Sequence, residues 1–189
     1  CDDACDWTKD NLHSTTLVGK TANSATLKRT IDATVYYVTV RWQGKANIKQ
    51  TGKNRYQLVA GGKELSLTCE YSEQPSKAEK TFAQVENESK TYWEGYWKKG
   101  GMADFGACKD PRAKEMERRV VLSQYLLAIQ DAGDTPPQET GLTYNSWFGK
   151  FHLEMILWHQ AQFALWGHPE LLDRSLSWYF KAEANARKI

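Results

Sequence analysis

The chain has 189 residues, carries a formal net charge of +2, and is 41% hydrophobic and 25% charged. That length allows one large domain or two small ones. The interspersed acids and bases leave no basic footprint for nucleic acid, and no apolar run approaches the roughly 20 residues that span a bilayer. Eight tryptophans are the outlier of the composition; their flat amphipathic rings suit a packed core and also the apolar faces of sugars.

Four cysteines stand at Cys1, Cys5, Cys69 and Cys108 with no CxxC spacing, which argues against metal ligation and against a disulfide-stapled miniprotein. An opening at Cys1, without an initiator Met or an apolar leader, is expected of a processed or an internal start. With the sequon Asn87-Glu88-Ser89 it points to a secreted or cell-surface location.

Residues up to about Ser72 predict strands. Val35 to Trp42 (VYYVTVRW) is β-branched and aromatic, and Tyr56 to Ala60 and Leu65 to Tyr71 alternate apolar with polar residues. Gly61-Gly62 between the last two predicts a tight turn, and further strands near Ala25 to Ile31 and Asn47 to Lys49 bring the expectation to about five, in an antiparallel sheet. The period then changes. Ser76 and Glu79 form an S-x-x-E capping box, after which Phe82, Val85, Ser89, Tyr92, Trp93 and Tyr96 recur at helical spacing until Lys98, Lys99 and Gly100-Gly101 end the helix.

Asp110-Pro111 predicts the start of a helix running to about Asp131, apolar over so wide an arc that burial on more than one side is expected. A long connection, Ala132 to Gly149, follows and is itself a hint of function. A second helix is expected from Gly149 to Gly167, and a third is opened by Pro169 with Glu170 and Asp173 in its first turn. The expected organisation is therefore α+β: antiparallel β, sandwich-like and partial, over residues 1–73, a linker helix over 74–101, and helical hairpins over 102–189.

The stretch from Pro136 to Trp166 is the richest in chemistry. His152 and His159 are seven apart and would share a helix face, but Glu154 stands two residues from His152 and no HExxH-like ligand set exists. No G-x-S-x-G elbow and no phosphate-cradling glycine loop is present, so neither a metal nor a cofactor is expected. What remains is Glu154 on an apolar helix and Glu139 in the loop before it. A Glu so placed either pairs with a cation such as Lys150 or Arg118, orienting helices, or faces a polar pocket where it accepts hydrogen bonds from sugar hydroxyls. Neither Glu139 nor Glu154 has a feature that would make it a general acid, and no catalytic pair is assigned.

The segments ERRVVLSQYL (Glu117 to Leu126), PPQETGL (Pro136 to Leu142), NSWFGKFHLEM (Asn145 to Met155) and FALWGHPELLDRSLSWY (Phe163 to Tyr179) resemble the opening helices of the six-hairpin glycosidase superfamily. The nearest likeness is to proteins in which an N-terminal β-sandwich is joined by a helical linker to an (α/α)6 barrel. In the trehalose, maltose and kojibiose phosphorylase relatives a Gly-Leu leads to an acidic-x-Glu-Met motif. Here Gly141-Leu142 precedes His152-Leu153-Glu154-Met155, so Glu154 matches the motif's Glu while His152 stands where its first acid would be.

The resemblance implies the end of a sandwich plus the incomplete start of an (α/α)6 toroid, and, for a complete protein, inverting attack on a glycosidic bond. It implies a carbohydrate partner, with Glu154, Glu139, Gln138, Lys150, His152 and Trp147 as the wall of a sugar site, and the remainder of the catalytic domain as a further partner. Because the general acid of such families comes from later hairpins, no turnover is expected of these residues alone. The alternative is a non-catalytic carbohydrate-binding or protein-interaction α+β module.

Overall fold

The computed structural model describes residues 9–77, 79–140 and 149–188. The fold is α+β: among the described residues, six antiparallel strands precede four α-helices. The chain divides into two compact units, Cys1–Tyr92 and Trp93–Ile189.

In the first unit β1 (His13–Lys20), β2 (Ser24–Ile31), β3 (Thr34–Gln43) and β6 (Ser66–Ser72) form one sheet in the order β1-β2-β3-β6, and β4 (Ala46–Gly52) pairs with β5 (Arg55–Ala60) as a separate hairpin. Asp32 adopts a left-handed φ of 50° in the two-residue turn from β2 to β3, a conformation that Asp tolerates better than most residues. The core is made where Ala25 and Trp42 of the sheet meet Ile48 of the hairpin, with Val40, Tyr56 and Leu58 packed around them. Asn54, in the β4–β5 turn, ties the hairpin to β1: its Oδ1 accepts from the Thr15 N–H at 2.8 Å and its Nδ2 donates to the Asp10 carbonyl at 3.0 Å.

Two expectations change here. β1 is a sixth strand, unrecognised because HSTTLVGK has one buried residue and no clean alternation. The Gly61-Gly62 pair does not close a hairpin, since β5 pairs with β4 and β6 with β3. It carries the chain from one sheet to the other, and Gly61 is there for closeness: its N–H donates to the Lys45 carbonyl at 2.7 Å, and a Cβ would stand 3.2 Å from that oxygen.

Helix α1 (Phe82–Lys99) begins later than the Ser76–Glu79 box predicts. The box that forms is Thr81-x-x-Gln84: the Gln84 N–H donates to Thr81 Oγ1 at 3.3 Å, and the Thr81 N–H donates to Gln84 Oε1 at 2.8 Å. This box lies directly against the first apolar helical residue, whereas the Ser76 box lies a turn and a half too early. Helix α2 (Ala113–Asp131) starts beyond the Asp110-Pro111 pair expected to open it, with Arg112 at the N-cap and no side-chain cap; the Asp110 carboxylate accepts from the Arg112 N–H at 2.8 Å in the turn before the helix. Its breadth of apolar residues is not buried, however: Met116, Leu122, Leu126 and Ile129 are exposed, and its buried residues are Gln124 and Asp131.

The continuous helix expected from Gly149 to Gly167 is broken. A 3-10 turn, Leu153–Met155, leads into a π-helical turn, Leu157–Ala161, and a single α-turn, α3 (Gln162–Leu165). The final helix, α4 (Pro169–Ala186), opens on Pro169 as its sequence predicts.

The second unit is organised on Tyr96, Phe163 and Leu171, with Trp93, Trp97, Leu127 and Leu172 around them. Glycines allow its tightest approach. The Gly101 N–H donates to the Trp166 carbonyl at 2.6 Å, and Gly167, at φ 80°, would bring a Cβ to 3.4 Å from Gly100 Cα. Beside them His168 stacks on Tyr96, ring centroids 3.9 Å apart and planes 9° from parallel.

Candidate functional site

Three titratable side chains of the second unit line one cavity of about 220 Å³: Asp131 at the end of α2, Glu139 in the connection that follows, and His159 on the π-helical turn. Leu126, Leu127, Gln130 and Thr140 complete its wall. Asp131 is 4% exposed, and its Oδ1 is buried without a hydrogen-bond partner. Burial pushes its carboxyl up to about 6, against a smaller opposing pull from His159. Its place at the carbonyl end of α2 works in the same direction, because the helix dipole there disfavours a negative charge.

Asp131 and His159 are held by a buried amide. Gln160 Nε2 donates to the Asp131 carbonyl at 3.0 Å, and Gln160 Oε1 accepts from the Ser175 hydroxyl at 2.9 Å, joining α2, the π-helical turn and α4. Gln160 and Ser175 are both fully enclosed. The wider π-helical turn places Gln160 inward and His159, the next residue back, at the cavity. Such single π turns recur at functional sites.

Of the residues singled out from sequence, Glu139, Lys150 and His152 come together. The Glu139 N–H donates to the Lys150 carbonyl at 3.1 Å. His152 Nδ1 lies 2.9 Å from Glu139 Oε2, close enough for an ion pair when the ring is protonated but off the line of a hydrogen bond. Gln138 lines a neighbouring cavity of about 510 Å³ with Pro136, Pro137 and Ile129. Glu154 sits apart, exposed on the 3-10 turn, and Arg118, one of the cations considered for it, pairs with Glu115 at 2.8 Å. Trp147 and the Gly141-Leu142 pair lie outside the described residues. Among the described residues, no group of three His, Cys, Asp or Glu side chains could hold a metal ion.

Asp131 and Gln160 were not singled out from sequence, and His159 entered only as the partner of His152 on one helix face. That face does not exist, because His152 is in extended conformation and the helix begins beyond it. One signal for Asp131 was present in the sequence: an acid in the last turn of a helix opposes the dipole and needs a reason.

Chemically, the cavity presents one carboxyl that holds its proton up to about pH 6 beside a second carboxyl and an imidazole. Protonated, Asp131 donates a hydrogen bond; ionised, it accepts, and Glu139 accepts in either case. Compared with protein-family models, with curated proteins and with solved structures, the chain matches none.

Proposed function

We propose that this chain supplies a sugar-binding site of a protein acting on glycosidic bonds, with the cavity of Asp131, Glu139 and His159 receiving the hydroxyls of one sugar unit. The observation that carries the reading is the buried Asp131 carboxyl, its Oδ1 without a hydrogen-bond partner, in the wall of the same small cavity as Glu139. Vicinal hydroxyls each donate and accept, so a donor and an acceptor carboxyl side by side complement them. Of the segments that carry the superfamily likeness, PPQETGL reaches this cavity through Glu139 and Thr140 and ERRVVLSQYL through Leu126, while Glu154 stands apart on the 3-10 turn. Inverting attack on the glycosidic bond, the likeness to the six-hairpin glycosidases and a secreted or cell-surface location belong to this proposal.

Calorimetric titration of the chain with neutral mono- and disaccharides tests it. Binding of at least one sugar is expected, weakened about tenfold or more by Glu139→Gln, as for loss of a charge-assisted hydrogen bond, and by Asp131→Leu, which removes the donor and the acceptor together. Absence of binding across the panel, or full affinity in both variants, overturns the reading. Aryl glycosides should not be turned over by the chain; turnover abolished by Asp131→Asn would make Asp131 the catalytic acid and not a binding group.

A second reading, an interaction module without a sugar site, is favoured by the apolar side chains exposed on the second unit, among them Leu153, Leu157, Trp158 and Leu165. No helix of the described residues is long and apolar enough to cross a membrane. The titration separates the two readings, because the interaction module predicts no sugar binding.

A further inference from the structure

The sequence holds one N-x-S/T acceptor motif, Asn87-Glu88-Ser89, and it falls in the half of α1 that belongs to the first unit. Each residue from Glu79 to Tyr92 is exposed. This stretch of helix meets solvent on every side, so a large substituent on one of its side chains displaces no packed neighbour.

Packing explains neither of the two residues that the motif requires. Among the described residues, only Glu88 of the three has a side-chain partner, Lys80 Nζ at 2.6 Å. Asn is a weak helix former because its amide competes for backbone groups, and it is favoured at caps and turns. Asn87 is at neither, for it lies in the second turn of α1, beyond the Thr81-x-x-Gln84 cap. Ser89 falls in the apolar register of Phe82, Val85 and Tyr92 and interrupts it with a hydroxyl. On so exposed a helix Ala, Glu or Lys would serve stability better at either position.

The surroundings of Asn87 have room for a covalently held sugar. Its neighbours one turn away are Ala83, Gln84, Lys90 and Thr91, small or polar and all exposed. Val85 and Ser89 point to nearly the opposite side, two residues being about 200° of turn. That divergence also fixes when the motif is used. The hydroxyl of the third residue has to reach the acceptor amide, and in the wound helix the two side chains point apart. The segment must therefore be extended or in a turn when it reacts. A helical stretch without a buried face is marginal by itself, so it forms late and opens readily.

We propose that Asn87 is an N-glycosylation site, modified before α1 winds. Its side-chain nitrogen Nδ2 attacks the anomeric carbon of an oligosaccharide carried on a lipid diphosphate. An N–C bond forms, the bond from that carbon to the diphosphate oxygen breaks, the lipid diphosphate leaves with the bonding pair, and the amide proton passes to solvent. Nothing is oxidised or reduced. The inference rests on the secreted or cell-surface location within the proposed function and is independent of the sugar site at Asp131.

The test is expression of the full chain in eukaryotic cells behind a cleavable secretory leader. The leader supplies export, so a failure here is a failure of the acceptor and not of the location. The secreted chain is expected to run as a heavier band that drops to the mass of the bare sequence after digestion with peptide N-glycosidase. In ¹⁸O water the same digestion should leave an ¹⁸O-labelled aspartate at this position, found by mass spectrometry of the peptide. The heavier band should be lost in Asn87→Gln and in Ser89→Ala and kept in Ser89→Thr, with the helical circular dichroism of Asn87→Gln equal to that of the deglycosylated parent. A parent chain secreted at its bare mass, a heavier band that survives Asn87→Gln, or its loss in Ser89→Thr overturns the proposal. The labelled peptide of the parent decides the matter even where a variant fails to fold.

Discussion

Two glycines of the same helix-and-turn segment should respond in opposite directions to alanine. At Gly100 an added Cβ would lie 2.0 Å from His168 Nε2 and 2.7 Å from both Cδ2 and Cε1, well inside van der Waals contact. The ring cannot retreat easily. It is 2% exposed, it stacks on Tyr96 at 3.9 Å, and the backbone behind it is held by the His168 N–H donating to the Phe163 carbonyl at 2.8 Å. Backbone strain does not enter, because Gly100 has no left-handed φ. The cost is that of overpacking a closed site, about 1–3 kcal/mol. At Gly95, inside α1, a Cβ meets nothing within 4 Å, so Gly95→Ala should gain up to about 1 kcal/mol from helix propensity. Urea unfolding followed by circular dichroism at the helical band reads both as shifts of midpoint at constant slope. A Gly100→Ala midpoint equal to the parent's would show that the His168 ring has room the structure denies it, and the reasoning about the Gly100–His168 contact would fail.

Asp131 makes stability depend on pH in the direction opposite to most acids. Its carboxyl is raised by burial from 3.8 to about 6, so between those values the folded chain binds a proton that the unfolded chain has lost. Its contribution is complete below the lower value and is lost as pH rises through the upper one. Asp131→Asn, neutral throughout, should therefore gain stability relative to the parent as pH is raised from about 4 to about 7; a constant difference in chemical-denaturation midpoint across that range would refute it. Ser175→Ala should cost about 1–3 kcal/mol, because Gln160 Oε1 is left buried without its donor, and should weaken sugar binding at the Asp131 cavity, read in the same calorimetric titration. Thr81→Ala removes the acceptor for the Gln84 N–H and should cost about 0.5–2 kcal/mol of stability; Ser76→Ala, at the box that does not cap the helix, should leave the unfolding midpoint in place.

The sequence by itself determined the order of structure: β first, then an aromatic helix stopped by Gly100-Gly101, then helices, with α4 opening on Pro169. These are local effects. The β-branched and aromatic run of β3, the missing N–H of proline and the packing freedom of glycine act within a few residues, so they are legible without knowing the fold. Tertiary structure alone decided what paired with what. Gly61-Gly62 looks the same whether it closes a hairpin or crosses between sheets, and only the pairing of β5 with β4 and of β6 with β3 separates the two. Two capping boxes five residues apart satisfy the same rule, and only the structure shows that the second, Thr81 with Gln84, caps α1. The Asp131 cavity was hidden for a like reason. Helical periodicity put His152 and His159 on one face, but Gln160 is drawn inward by Ser175 of α4 and by the Asp131 carbonyl, and that distant hydrogen-bonding demand winds the chain into a π turn. Burial of Asp131 follows from contacts made across 28 residues of chain, between its own position and that of His159, and no spacing rule reaches that far.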